Sequence, residues 1–229
     1  MAFEKRISLD PRLSMIADML GTCVCCADIG SNHGRLGAYL IQNKRCDRVL
    51  LTDISSASLD GARELIGLLG YNGSVRFCVG DGAAAIDEDV DAAVIAGMGG
   101  ETIAHILETS LGRLDGAKIV LQPNVAAAEL RCCLTADGWK ITDEDLAKDG
   151  RRIYPVLRIE RGAQTLTEAE AVVGPMLLQK KPALLREYIE FYLRVHGKAL
   201  RGAANGSNPE TARALEREIE IWEDVRKCL

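Results

Sequence analysis

The sequence predicts an α/β fold: a mainly parallel sheet with helices on both faces, closed by a terminal antiparallel hairpin and followed by an α-helical hairpin. Three observations predict it. Between residues 23 and 122, short apolar runs alternate with helix-like segments, the rhythm of βαβ units. The apolar runs lack polar alternation, as strands buried on both faces do. Beyond them an Asp149-Gly150 turn joins two strand-like runs, and from about residue 164 apolar residues recur at spacings of three, four and seven.

The elements follow in order. "SLDPRLSMIADMLG" predicts a leading helix, with Asp10 as its cap, Pro11 in the first turn, and Leu13, Ile16, Ala17 and Leu20 on one apolar face. Strands are expected at 23–27, 48–51, 75–79, 92–96 and 118–121. "SSASLDGARELIGLLG" predicts a crossover helix, capped by its serines, apolar at Leu59, Ala62, Ile66 and Leu69, and stopped by Gly70. "GWKITDEDLAKDGRRIYPVLRIERG" predicts the hairpin, turning at Lys148-Asp149-Gly150. The remainder predicts two long antiparallel helices joined through "GAANGSNPE". The first runs through Leu178, Leu185, Ile189, Tyr192 and Ala199, with Pro182 marking a break or a first turn; the second runs through Leu215, Ile219, Trp222 and Leu229. The expected units are 1–162 and 163–229.

Composition narrows the function classes. The chain has 28 basic and 33 acidic residues and a net charge of -5, so nucleic-acid affinity would have to come from local clusters of Lys and Arg. The start "MAFEKRISLDPR" does not resemble a signal peptide and no apolar run reaches about 18 residues, which leads to the expectation of a cytoplasmic protein without membrane contact. A monomer is favoured. The eight cysteines are poorly spaced for disulfides, with Cys23, Cys25 and Cys26 in one run and Cys132 beside Cys133. No second CxxC pair joins Cys23 and Cys26 to support zinc, so reduced buried thiols and no metal are expected.

The chemistry begins in "VCCADIGSNHGRLG". Asp28, Gly30 and Gly34 read D-x-G-x-x-x-G, whereas a dinucleotide fingerprint needs a second glycine at position 32, where Asn32 stands. An acid before the glycine turn suits a cofactor with a cationic end and no pyrophosphate, S-adenosylmethionine. Asp53, 25 residues on, ends the second strand, where it accepts hydrogen bonds from both ribose hydroxyls or else caps a helix. Gly80, Asp81 and Gly82 follow the third strand, positioned for an adenine amino group. "AVIAGMGGE" sets Ala96, Gly97, Met98 and Gly99 at the crevice centre, where glycines let substrate or sulfonium approach backbone. "LQPN" offers the amides of Gln122 and Asn124 to a base edge. The terminal hairpin favours a class I methyltransferase sheet over a dinucleotide-binding one, which is normally parallel throughout.

Taken together, "SLDPRL", "ADIGSNHGRL", "GDG", "IAGMGGE", "LQPN" and the later Gly174-Pro175 with Leu177 and Leu178 resemble, along essentially the whole chain, the bacterial tRNA adenine-22 N1-methyltransferases of the TrmK type. The resemblance implies a class I methyltransferase fold, S-adenosylmethionine as donor, and adenine N1 in the tRNA D-arm as acceptor. In the family pattern Asp-His stands where this chain has Asn32-His33, and Glu where it has Asp53. The cofactor residues are then expected to be Asp28, Gly30, Ser31, Asp53, Ile54, Gly80, Asp81, Gly82 and Ala96. The catalytic set is expected to be Asn32, His33, Gly97, Met98, Gly99, Gln122 and Asn124. Phosphate contacts are expected among Lys5, Arg6, Arg12, Arg151, Arg152, Arg158, Arg161, Lys180, Lys181, Arg186, Arg194, Lys198 and Arg201. The competing readings are a methyltransferase for a small molecule or protein, a nicotinamide dehydrogenase, and a catalytically weak RNA-binding relative.

Overall fold

The computed structural model describes residues 6–110, 112–203 and 209–229. Lys5 and the Asn205 and Asn208 portion of the helix connection lie outside the described residues. The chain runs α1 (Pro11–Leu20), β1 (Cys23–Ile29), α2 (Arg35–Gln42), β2 (Cys46–Asp53), α3 (Asp60–Leu69), β3 (Val75–Val79), β4 (Ala92–Gly99), α4 (Gly100–Glu108), β5 (Lys118–Val125), α5 (Ala127–Ala136), β6 (Trp139–Asp149) and β7 (Arg152–Arg161). Four helices follow: α6 (Glu168–Val173), α7 (Pro175–Lys180), α8 (Leu185–Ala203) and α9 (Pro209–Lys227).

One seven-stranded sheet has the order β3-β2-β1-β4-β5-β7-β6. Its first five strands are parallel, and β7 pairs antiparallel with both β5 and β6. Successive side chains of a strand point to opposite faces, and the core divides accordingly. Cys25, Ala27, Ile29, Ala93, Ile95, Ile119 and Leu121 pack on one face beneath Ile103 and Ile106 of α4 and Leu130 and Leu134 of α5. Cys26, Val49, Leu51, Val94 and Val120 pack on the other beneath α1, α2 and α3. Burial at this scale is worth about 2 kcal/mol for each large side chain. The cysteines are free, and burial pushes the Cys25 and Cys78 thiols up.

Local chemistry explains the boundaries. Asp10 caps α1 by accepting the Leu13 N–H at 2.7 Å, and Pro11 occupies the first turn. Gly70 ends α3 in the left-handed region. The serines before α3 do not cap it: residues 57–59 form a short 3₁₀ turn, and Leu59 occupies the cap position. The hairpin turns at Gly150-Arg151, because Asp149 still pairs with Arg152.

β4 and β5 run farther than expected, through Gly99 and Val125, because irregular register at Met98 keeps them paired past Gly97 and Pro123. The apolar segment through Leu178 and Leu185 is not one helix. It breaks at Lys181, with φ of +48°, before Pro182, so Leu178 belongs to α7. α8 and α9 then pair: Tyr192 stacks on Trp222 with ring centroids 5.0 Å apart, and His196 meets Glu218 at 3.2 Å. A partner that recedes four residues as its mate advances four is the signature of antiparallel helices. The unit seats on the hairpin, with Leu146 and Ile153 buried among Val173, Leu177, Leu185, Tyr188, Ile189 and Trp222.

Candidate active site

Parallel strands end side by side at one edge of the sheet, and in open α/β sheets ligands bind in the crevice outside those carboxyl ends. Here that crevice is a cleft of about 590 Å³. β1 and the loop after it bring Asp28, Gly30, Ser31, Asn32 and His33; β2 brings Asp53; β4 brings Ala96, Gly97 and Met98; and β5 brings Asn124. Six further positions complete the lining: Asp10, Arg12 and Leu13 from the cap and first turn of α1, and Gly34, Arg35 and Leu36 from the start of α2. None of the six is among the expected cofactor or catalytic residues, although Arg12 is an expected phosphate contact and Gly34 belongs to the glycine motif; their signal is the "SLDPRL" and "HGRL" segments.

The other expected residues fall around or beneath this cleft. Ile54 follows Asp53 and is 71% exposed, while Gly80, Asp81 and Gly82 follow β3 and do not line the cleft. Gly99 caps the start of α4. Gln122 is fully buried, so its amide supports the cleft floor from below and does not reach a base edge.

Asp28 is the electrostatic centre. It is 8% exposed, and the Ser31 hydroxyl donates to its Oδ2 at 2.7 Å. Burial pushes its carboxyl up to about 6, with the Ser31 hydrogen bond pulling the other way. The folded protein therefore holds this proton more tightly than the unfolded chain, and Asp28 costs stability as pH rises from about 4 to about 6. A buried carboxylate short of partners is matched by a cationic ligand. The loop that carries it is pinned by the Gly30 and Ser31 N–H groups, which donate to the Thr52 carbonyl at 2.8 and 2.9 Å. Asp53 accepts the Ser55 N–H at 2.9 Å, a local turn that aims the carboxylate and leaves it uninvolved in capping α3.

The floor is an amide ring around Gly97. Its N–H donates to Gln122 Oε1 at 3.2 Å, Gln122 Nε2 donates to Asn124 Oδ1 at 3.2 Å, and Asn124 Nδ2 donates back to the Gly97 carbonyl at 2.6 Å. Gly97 has φ of +80°, a conformation that L side chains rarely adopt. Asn32 and His33 are exposed at the rim. Among the described residues no group of three or more His, Cys, Asp or Glu is arranged to hold a metal ion, and no helix is long and apolar enough to cross a membrane.

Of the expected phosphate contacts, several are engaged within the protein. Arg161 pairs with Asp115 at 2.7 Å and Lys180 with Asp143 at 2.8 Å, and the Arg158 Nε donates to the Thr142 hydroxyl at 3.3 Å. Arg194, Lys198 and Arg201 gather with Arg226 along α8 and α9.

Comparison with known proteins bears on this site. A family model described as tRNA (adenine(22)-N(1))-methyltransferase matches residues 26–224. A Bacillus subtilis protein named tRNA (adenine(22)-N(1))-methyltransferase is 27% identical over 231 residues, covering 96% of this chain and 97% of the relative. The crystal structure of the Bacillus subtilis m1A22 tRNA methyltransferase TrmK aligns with a TM-score of 0.85 at 26% identity, over 96% of this chain and 99% of that one. A Streptococcus agalactiae protein of the NADB-Rossmann superfamily aligns with a TM-score of 0.89 at 28% identity, over 97% and 99%.

Proposed function

Because the chain belongs to the tRNA (adenine(22)-N(1))-methyltransferase family, we propose that it transfers a methyl group from S-adenosylmethionine to N1 of adenine 22 in tRNA. The observation that carries the site assignment is the meeting in one cleft of the buried, under-bonded Asp28 carboxylate with the open Gly97 and Asn124 floor. Asp28 and Ser31 suit the cationic methionine end, and Asp53 suits the ribose hydroxyls, with Gly30, Ile54, Gly80, Asp81, Gly82 and Ala96 proposed around the nucleoside.

When bound, S-adenosylmethionine supplies an electrophilic methyl group on a sulfonium sulfur. The protein's own task is positional. Adenine N1 has a free lone pair once the base is unpaired and unstacked, so no strong base is needed before attack. Holding reacting groups in line at about 3 to 3.5 Å accounts for much of such catalysis. We assign the holding to the 97–99 backbone and Asn124, with Met98 beside them and Asn32 or His33 at the rim. The Gly97 carbonyl and Asn124 Oδ1 are acceptors, suited to the positive charge that grows on the base. Asn32 keeps an acceptor oxygen where the family pattern has a charged Asp, which makes the backbone acceptors more important here.

The division follows: a catalytic unit over 1–162 and a helical unit over 163–229, whose Arg194, Lys198 and Arg201 are proposed to meet tRNA phosphates. All assigned residues come from one chain, so a monomer suffices, acting on cytoplasmic tRNA. Binding through phosphates releases counterions, so tRNA affinity is expected to fall steeply between low and moderate salt in a filter-binding titration. A flat titration removes the phosphate contacts.

Two measurements test the reading. Mass-spectrometric mapping of tRNA from cells with and without the protein is expected to find 1-methyladenosine at position 22 only in the former; identical maps refute the acceptor. Calorimetric cofactor affinity is expected to drop about tenfold from pH 7 to pH 5 as Asp28 takes up its proton, and to be level with pH in Asp28→Asn. A level wild-type profile removes Asp28 from the methionine end.

A further inference from the structure

We propose that Arg12 is a positioning residue that fixes the orientation of the Gln122 and Asn124 amides beneath the acceptor base, an inference that rests on the methyl-transfer reading above. Arg12 enters the cleft from the first turn of α1 and is half-buried there. Its Nη1 donates to Gln122 Oε1 at 2.8 Å, and its guanidinium lies 5.7 Å from the centroid of the Tyr154 ring.

The consequence follows from donor and acceptor inventory. A guanidinium only donates, so Gln122 must turn its oxygen toward Arg12 and its Nε2 toward Asn124. Asn124 must then offer Oδ1 to Gln122 at 3.2 Å, which sends its Nδ2 to the Gly97 carbonyl at 2.6 Å. One cation thus adds a charged donor to the Gly97 N–H and Pro123 carbonyl contacts that favour the same Gln122 orientation, and so holds the direction of two amides and the polarity of the ring around Gly97. A charge-assisted bond is the stronger kind, and Gln122 is fully buried. Without Arg12, Gln122 Oε1 keeps the Gly97 N–H at 3.2 Å. That longer bond and the Pro123 carbonyl, which accepts from Gln122 Nε2 at 2.8 Å, are then what opposes a reversed Gln122.

The test compares wild type with Arg12→Met and Arg12→Lys. At saturating tRNA and cofactor, Arg12→Met is expected to lower kcat by about ten- to a hundredfold, the usual scale of a mispositioned site. The KM for tRNA and the cofactor Kd are expected to hold, and Arg12→Lys, which still donates, to recover most of the rate. Side-chain amide NMR signals of Gln122 and Asn124 are expected to shift in Arg12→Met and to return toward wild type in Arg12→Lys. If Arg12→Met instead raises the tRNA KM and flattens its salt dependence with kcat intact, Arg12 is a phosphate contact and the proposal is overturned. Unmoved amide signals overturn it as well. A wild-type protein inactive on tRNA refutes the function reading alone, because the amide signals still decide the role of Arg12.

Discussion

Replacing Glu144 by alanine is expected to cost about 3–5 kcal/mol of stability, lowering the melting temperature of a chain this size by about 6–20 °C. The cause is a buried charge left without its mate. Arg131 Nε donates to Glu144 Oε1 at 2.8 Å, and both side chains have no exposed surface. Oε2 of Glu144 accepts the Met176 N–H at 3.0 Å, and Arg131 Nη1 donates to the Ala171 and Val172 carbonyls, each at 3.1 Å. The ends of α6 and α7 are therefore satisfied by side chains of α5 and β6. Gly174 between them has φ of +122°, and a Cβ there would lie 2.6 Å from Glu144 Oε2. The double replacement Arg131→Met with Glu144→Leu is expected to recover most of the loss, since it removes both charges and keeps volume. Thermal denaturation followed by circular dichroism measures both; an unshifted Glu144→Ala midpoint contradicts the account.

Asn124→Ala is expected to lower kcat on tRNA by about 10²–10³, the usual loss when one preorganised polar group at a reacting centre is removed. It frees the Gly97 carbonyl and leaves Gln122 Nε2 with the Pro123 carbonyl alone, whereas Asp28 and Asp53 are untouched. Cofactor Kd is therefore expected to hold. Single-turnover kinetics alongside calorimetry separates the two quantities, and unchanged turnover on tRNA removes Asn124 from the reacting centre.

The strands along the chain and the cleft at their ends were readable because buried parallel strands write themselves as uninterrupted apolar runs, each followed by a polar or glycine turn, whereas their order across the sheet was not read from the sequence. Asp28 and Asp53 stand where those runs stop, so local pattern alone placed them in the cleft. Strand length was harder. Gly97 and Pro123 look like terminators, yet Pro123 sits where register with β4 shifts, the kind of position in which a strand tolerates the missing donor. The serines before α3 and the Leu178 to Leu185 run misled because each fits a local rule that tertiary packing overrode. Arg12 was visible only as a cation, since nothing local says that its fork reaches Gln122, 110 residues away. Arg131 and Glu144 left even less trace: both look like ordinary surface charges, and Cys132 and Cys133 beside Arg131 are indeed exposed.

The placement of α1 sets an order in time. This helix is synthesised before the sheet, yet it packs across β5, β6 and β7, whose last residue is Arg161. A chain still emerging from the ribosome can pair β1 with β2 and β4 long before Arg12 has anything to lie against. Residues made before the sheet are thus among the last to be seated, and contacts of such long sequence separation are the slow ones to form. Completion of the cleft becomes a signal that the whole sheet has closed.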